Sequence, residues 1–311
     1  MQRIRLQRSA LAWSSALLLG GLAHAQVVNP ADKAASQDRA RTGDLADELD
    51  ADLQDGHAPS YAMPSIEVQG ERVSPLREED RIGSYGQPRW TAKRRFPSTR
   101  VYVVPEGKVE FEWWARWKDP RDGKPELQTQ YEWEFGLPHR LQLDLYAVSN
   151  QTVDTGEMAF NEQKIELRYA FADWGKLWGN PAAYVEWDQK SDEADVVEYK
   201  LLLGDEAAVG WHWGANLIYE QQVGDLREAE YGLSLGLSHT LQDERLSLGG
   251  ELKAALVDDS ADRGDYAKEL EIGPSLQWRP NPALHIDFAP LVGIGPDSRQ
   301  FDVFVVIGWE F

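Results

Sequence analysis

The sequence predicts an all-β fold, a transmembrane antiparallel up-and-down β-barrel of about 12 strands behind a mostly disordered N-terminal arm. Three observations indicate this fold: apolar and charged residues alternate from Val109 to the C-terminus, the connectors alternate between short and long, and aromatic residues stand near the strand ends. The alternation alone also suits a soluble β-sandwich, so the connectors and the aromatic residues decide between the two architectures.

The composition excludes several classes of function. The 311 residues include 52 acidic and 32 basic side chains, for a formal net charge of −20, with 13 Trp and no Cys. This acidic excess argues against nucleic acid as a partner, because a phosphate backbone is bound by clustered Lys and Arg. The absence of Cys excludes disulfides, thiolate catalysis and Cys-ligated metals. We predict no cofactor and no metal site.

The N-terminal third is predicted to lie outside the barrel. Residues 1–25 have the pattern of a secretory signal peptide, with a basic start, an apolar run and the cleavage site Ala23-His24-Ala25. Residues 26–108 are poor in aliphatic side chains and rich in charge and Pro, which predicts a flexible periplasmic arm. Within this arm we predict a short helix over residues 43–54, and we note a basic segment, residues 81–100, that contains no acid.

Strands follow one another from residue 109 to the last residue. Alternation in period two predicts a strand with one apolar and one polar face. The predicted strands are Val109–Trp117, Tyr131–Leu137, Leu141–Ala147, Ile165–Phe171, Ala183–Trp187, Val197–Leu203, Val209–Tyr219, Tyr231–Leu237, Leu246–Leu256, Leu270–Trp278, Leu284–Ile294 and Phe301–Phe311. Residues 101–104 could pair with the first of them, but an extra strand would break the even count.

The connectors favour the membrane barrel over the sandwich. Tight turns are predicted at 137–140, 204–207, 242–244 and 280–283, and longer Asp-rich loops mostly fall between them, at 119–126, 150–160, 189–195, 221–228 and 258–265. Barrels of the bacterial outer membrane have short periplasmic turns and long external loops. The connector 172–180 is longer than this rule expects. The Asp-rich loops would face lipopolysaccharide, either as solvated loops or bridged to it by divalent cations.

The aromatic residues predict where the two membrane interfaces lie. Amphipathic rings collect at the lipid–water boundaries of a bilayer. We predict an aromatic girdle that comprises Trp117, Trp187, Tyr219 and Tyr231 at the external ends of the strands, and Trp174, Trp178, Trp278 and Trp309 at the periplasmic ends. Outer-membrane lipid and lipopolysaccharide are therefore predicted partners.

Two resemblances support this interpretation. The final strand alternates apolar residues and ends in Trp309, Glu310 and Phe311. It resembles the terminal strand of Gram-negative outer-membrane β-barrel proteins, which implies an outer-membrane location and recognition of Trp309 and Phe311 by the barrel-assembly machinery. The segment Glu134–Leu143, with its Gly-Leu-x-x-Arg-Leu-x-Leu pattern, is similar to a hairpin of transporters linked to phenol-degradation pathways.

The polar faces of the strands would line the barrel lumen. Charged residues are tolerated there because Lys or Arg at the lipid midplane costs roughly 2–4 kcal/mol. The residues predicted to line the lumen are Glu110, Glu112, Arg116, Glu132, Glu134, Asp144, Lys164, Glu166, Arg168, Glu186, Asp188, Glu198, Lys200, His212, Glu220, Glu251, Lys253, Glu269, Glu271, Arg279, His285, Asp287 and Asp302. Together with Glu310 they give sixteen acids against six Lys and Arg. The sequence therefore predicts an acidic lumen.

An acidic lumen favours a narrow channel or facilitator that passes cations or small solutes. The alternative is a closed structural barrel whose lumen is filled by salt bridges or plugged by the arm. The basic segment 81–100 could fold into the lumen, or it could contact lipid headgroups or the inner rim. We predict no enzyme activity, because the adjacent Ser238 and His239 would point to opposite faces of one strand.

Overall fold

The structure, a computed structural model, describes residues 77–311 except for 153–157, 192, 225–227, 244 and 260–262. Twelve antiparallel strands form a closed barrel. They are β1 Val109–Asp119, β2 Glu126–Leu137, β3 Leu141–Thr152, β4 Met158–Ala170, β5 Ala182–Lys190, β6 Val196–Ala208, β7 Trp211–Gln222, β8 Ala229–Gln242, β9 Leu246–Asp258, β10 Ala267–Asn281, β11 Leu284–Gly293 and β12 Phe301–Glu310. This confirms the predicted all-β barrel of twelve strands. The signal peptide and the predicted helix over 43–54 lie outside the described residues.

Each strand pairs with its neighbours in sequence, and β12 pairs with β1 to close the barrel. One end, the turn end, carries the short connections 138–140, 209–210, 243–245 and 282–283 together with the long connector 171–181. The other end, the loop end, carries the remaining connections. The prediction of a turn at 204–207 was wrong, because β6 continues to Ala208 and the chain reverses at Gly210, whose φ of +72° is one that other residues rarely adopt.

The barrel is apolar outside and polar inside. On β4, Ile165 is 59% and Leu167 is 42% exposed on the outer face, whereas Glu166 between them is fully buried. An exterior of aliphatic side chains fits the hydrocarbon core of a bilayer, where charges are tolerated only on the lumen face. Among the described residues, no helix is long and apolar enough to cross a membrane.

Most of the predicted girdle residues lie on the outside, close to one end of a strand or in the turn-end connector. Trp117, Trp187 and Tyr231 are exposed and Tyr219 is half-buried, all towards the loop end, while Trp178, Trp278 and Trp309 are exposed towards the turn end. That these rings meet the lipid–water interface stays a prediction.

Trp174 does not belong to the girdle. It is only 6% exposed, and its ring packs edge-on against Trp90 at 5.6 Å and Tyr102 at 5.1 Å between centroids. Its backbone N–H donates to the carbonyl oxygen of Tyr85 at 3.0 Å. The long connector 171–181 thus turns this side chain towards the N-terminal part of the described chain rather than towards lipid.

Residues 77–108, which we call the lumen segment, run inside the barrel, so the prediction that the flexible arm extends to residue 108 was wrong for this part. Near its start, the backbone N–H of Glu78 donates to the Asp243 carboxylate at the turn end. The segment contains a two-residue strand pair, Arg81–Ile82 with Gln87–Pro88, and a 3₁₀ turn, Arg89–Thr91. It rises to Ser98 and returns to the turn end, where Gly107 hydrogen-bonds Gly136.

Residues 101–104 belong to this returning part and are buried in the lumen without forming a strand. The barrel therefore keeps its even strand count. All the described residues, the lumen segment included, belong to one compact unit.

The orientation of the strands in a bilayer leads to a first prediction. Leu235 lies on the outer face near the middle of β8. We expect Leu235→Arg to destabilise the barrel by roughly 2–4 kcal/mol, because the charge would sit at the hydrocarbon midplane. The control Val209→Arg, in a turn where the side chain is 89% exposed, should cost about 1 kcal/mol or less. Urea unfolding in liposomes measures both, and equal costs would contradict the membrane-spanning orientation.

Candidate functional site

The lumen brings together the charged residues that the sequence predicted for it. All the predicted lumen-lining side chains lie on inward strand faces, where they are buried or half-buried. Their roles remain proposals. What the sequence did not show is how the strands align them with one another, and that alignment is set by the register of the barrel.

Nine acids stand in direct cross-strand register on nine consecutive strands, from β12 through β1 to β8. This acid row is Glu310, Glu110, Glu134, Asp144, Glu166, Glu186, Glu198, Glu220 and Glu230. It starts at the turn end with Glu310 and finishes at the loop end with Glu230. Like charges directly opposite each other repel, so the row needs counter-charges along its length.

The lumen segment supplies part of that counter-charge through Arg94. This guanidinium donates from Nε to both carboxylate oxygens of Glu112 at 2.9 and 2.8 Å. Its Nη2 also donates to Glu132 at 3.2 Å and to Glu134 at 3.1 Å. All four side chains are almost completely buried. Three carboxylates on β1 and β2 therefore share one arginine of the lumen segment.

Arg100 binds two of these three carboxylates. It donates to Glu134 at 3.0 Å and to Glu132, and a further N–H donates to the Tyr146 hydroxyl at 3.1 Å. Along the wall, Arg168 pairs with Asp144 and Glu166, Lys164 with Glu186, and Lys200 with Glu198. The acid row is therefore neutralised partly by the strands and partly by the lumen segment.

A second ionic contact holds the start of the lumen segment. Arg95 donates two hydrogen bonds of 3.0 Å to Glu78, which also accepts one from Arg279 of β10 at 3.3 Å. Arg95 contacts β8 as well, donating to Ser238 at 2.9 Å. As expected, Ser238 faces the lumen while His239 hydrogen-bonds Gly210 on the other face, so the two do not form a catalytic pair.

The lumen segment is also anchored by apolar contacts. Trp90 and Phe96 are fully buried and belong to one cluster with Trp174 and Leu202. The indole N–H of Trp90 donates to Glu206 at 3.0 Å. Burial of large aromatic side chains contributes roughly 2–3 kcal/mol each.

Three glycines make room for these anchors. Gly204, Gly214 and Gly236 stand side by side in register on β6, β7 and β8. A Cβ at residue 236 would lie 2.6 Å from the Phe96 ring, and one at residue 204 would lie 2.4 Å from Val101. The wall is therefore flat where the lumen segment lies against it.

His285 contacts three acids of the lumen. Its Nε2 lies 2.8 Å from Glu110 and 3.4 Å from Glu112, and its Nδ1 contacts Asp287. Glu110, Glu112 and His285 are close enough for their ligand atoms to share a metal ion. Glu112 is already bound by Arg94, so this group is connected to the lumen segment through the Arg94–Glu112 ion pair.

Above the lumen segment lies a cavity of about 500 Å³, which we call the vestibule. Its floor is formed by Arg94, Pro97, Ser98 and Arg100 of the lumen segment. The acids that line it are Glu126, Glu132, Glu162, Glu186, Asp188, Glu193, Glu198, Glu220, Glu230, Glu269 and Glu271. The bases that line it are Arg94, Arg100, Arg116, Lys118, Lys164, Lys190, Lys200, Lys253 and Arg299. Among the described residues, eleven acids thus face nine bases, a much smaller excess than the strands alone predicted.

Sequence reasoning missed the partners that hold the lumen segment. It identified the basic stretch that contains Arg94 and Arg100, but not the anchors Trp90 and Phe96 or the inward-facing Trp114. A signal was present in the glycines at inward positions of three successive strands, because a lumen wall without side chains leaves room for another part of the chain.

The ion pair of Glu78 leads to a pH-dependent prediction. Burial alone would raise the pKa of the Glu78 carboxyl, but Arg95 and Arg279 lower it to about 2, from 4.5 in the free group. The ionised Glu78 carboxylate is the form that pairs with the two arginines, so its lowered pKa means that folding of the segment into its docked position is stabilised above pH 4.5. This stabilisation is lost as the pH falls towards 2 and the carboxylate is protonated. We expect Glu78→Gln to weaken docking at pH 7 by about 3 kcal/mol, because two buried arginines lose their partner.

Hydrogen–deuterium exchange of the amides in residues 77–104 measures this weakening. The difference between Glu78→Gln and the unchanged protein should shrink between about pH 4.5 and pH 2. Glu106→Gln is the matched control, because Glu106 is an exposed carboxylate of the same segment. A difference that stays constant down to pH 2 would show that the Glu78 charge does not hold the segment.

Comparison with known proteins supports the fold. No protein-family model matches the chain, and no curated protein matches it. An outer-membrane channel from Pseudomonas putida F1 aligns with 68% of this chain and 98% of its own at 9% identity and a TM-score of 0.51. The NanC porin aligns with 65% of this chain and 98% of its own at 13% identity and a TM-score of 0.48. The alignment with the Pseudomonas putida channel thus shows that this chain shares its β-barrel fold.

Proposed function

We propose that this protein is a gated channel of the bacterial outer membrane for small polar solutes, in which the lumen segment is the gate. The observation that supports the proposal most strongly is the vestibule floor. A solute that enters from the loop end meets Arg94, Pro97, Ser98 and Arg100, which belong to the lumen segment and not to a strand. The passage therefore depends on a part of the chain whose floor residues Arg94, Ser98 and Arg100 contact the wall through hydrogen bonds that involve side chains.

The contacts of the floor suit a gate. Arg94 and Arg100 are held by ion pairs with Glu112, Glu132 and Glu134 rather than by a continuous β-ladder. Another cation that reaches these carboxylates can replace an arginine, whereas the backbone ladder of the barrel allows no such exchange of partners. Displacing the lumen segment would leave the acid row facing an open lumen.

A modest preference for cations is part of the proposal. The vestibule wall has a small excess of acids, and Glu198, Glu220 and Glu230 form the loop-end part of the acid row. A ring or row of carboxylates favours cations through its field. The bases on the same wall keep this preference weak, so that neutral polar solutes are admitted too.

Conductance in planar bilayers tests the gate. In the variant Arg94→Gln/Arg100→Gln, three buried carboxylates lose their counter-charges, at a cost of about 3–5 kcal/mol for each broken buried pair. We expect the lumen segment to leave its place and the mean conductance to rise several-fold. Arg81→Gln is the matched control, because Arg81 is an exposed arginine of the same segment, and its conductance should equal that of the unchanged protein.

The same recordings decide among the alternatives. An unchanged conductance in the double variant would contradict the gate, and no conductance in any variant would favour a closed structural barrel. Reversal potentials across a KCl gradient measure ion preference in the open variant. Anion preference there would contradict the role of the acid row.

A further inference from the structure

We propose that the side chains that hold Arg94 and Arg100 form a binding site for guanidinium groups, and that the solutes of the channel include molecules that carry one, such as arginine. The site, which we call the guanidinium box, consists of Glu112, Trp114, Glu132, Glu134 and Tyr146. The statement about solutes rests on the proposed channel function, whereas the statement about the binding site does not. The two arginines of the lumen segment are the site's internal ligands.

The carboxylates of the guanidinium box match a planar, forked cation. Glu112 accepts from both Nε and Nη2 of Arg94, and Glu132 and Glu134 accept from the same Nη2. Paired hydrogen bonds of this kind are specific to guanidinium, because a lysine ammonium is a compact charge without a fork.

Trp114 provides the second element of recognition. The Cζ atom of Arg94 lies 4.1 Å from the centroid of the Trp114 ring. The indole N–H donates to Glu132 at 2.9 Å and to Glu112 at 3.1 Å, which fixes both the ring and the two carboxylates. A flat guanidinium stacks on such a face better than an ammonium, and the contact gains strength because Trp114 is only 5% exposed.

A solute in the vestibule can reach this site. Trp114, Glu132 and Tyr146 line the vestibule, next to the floor formed by Arg94 and Arg100. A guanidinium-bearing solute would make the same contacts as these two arginines and compete with them. A solute that replaces the two arginines would also release the lumen segment. Binding of a guanidinium-bearing solute would therefore favour the open state of the channel.

Chemical rescue of an arginine vacancy tests the site without requiring transport. Arg94→Ala removes one of the two internal ligands and leaves Glu112 without its arginine, while Arg100 still binds Glu132 and Glu134. We expect millimolar methylguanidinium chloride to raise the melting temperature of the detergent-solubilised variant at a concentration about tenfold lower than methylammonium chloride requires. The unchanged protein and Arg81→Ala should show no such difference.

Two further variants make the result decisive. In Arg94→Ala/Trp114→Leu the preference for methylguanidinium should be lost, because the stacking face is gone. Where Arg94→Ala does not fold, Arg100→Ala vacates the other side of the same site and is tested in the same way. Equal effects of the two cations in the folded variant, or a preference that survives the loss of Trp114, would overturn the proposed site.

Solute uptake then separates this inference from the proposed function. Proteoliposomes that contain the unchanged protein should take up arginine several-fold faster than lysine, and Trp114→Leu should remove the difference. Equal uptake of the two amino acids would overturn the proposed solute class but would remain consistent with the proposed channel function. No uptake of either, together with a positive rescue, would refute the channel function and retain the binding site.

Discussion

The contact between Arg94 and the carboxylates of Glu112, Glu132 and Glu134 is the interaction on which the rest of the lumen depends. It joins the lumen segment to β1 and β2 at a point where the barrel register places acids opposite acids. Without a cation here, the carboxylates would be buried and would repel each other, at a cost of several kcal/mol. The position of the lumen segment, the floor of the vestibule and the charge that a solute meets all follow from it. Part of the acidic excess of the chain therefore consists of carboxylates that pair with arginines of its own lumen segment.

The barrel could be predicted from the sequence because a two-faced strand leaves a simple pattern. The alternation around Glu166 shows which side chains face outwards, and the structure places Ile165 and Leu167 outside and Glu166 inside. Parity along a strand fixes the face of each residue, since successive side chains point in opposite directions. This alternation was sufficient to predict the number of strands and the residues that face the lumen. Turn positions were less well determined, as the continuation of β6 through Gly204 to Ala208 shows.

The contents of the lumen could not be predicted in the same way, because they depend on register and on contacts distant in sequence. That Glu310 lies opposite Glu110, for example, is decided by the closure of the barrel between its first and last strands. Trp174 was assigned to the lipid interface because tryptophans favour it, yet its connector turns it towards Trp90 and Tyr102. The lumen segment resembled a flexible arm because its few apolar residues, such as Trp90 and Phe96, gain their partners only from the barrel wall.

A reversible cross-link between the lumen segment and the wall shows whether the segment must leave its place before a solute can pass. The Phe96 Cγ atom lies 2.6 Å from the position of a Cβ at residue 236, and the chain has no Cys of its own. Phe96→Cys and Gly236→Cys, introduced into Arg94→Gln/Arg100→Gln, should allow a disulfide that ties the segment to β8. If the segment is the gate, conductance is low when this protein is oxidised and several-fold higher after reduction, and single-Cys variants are insensitive to redox state. Equal conductance in the cross-linked and reduced forms would contradict it.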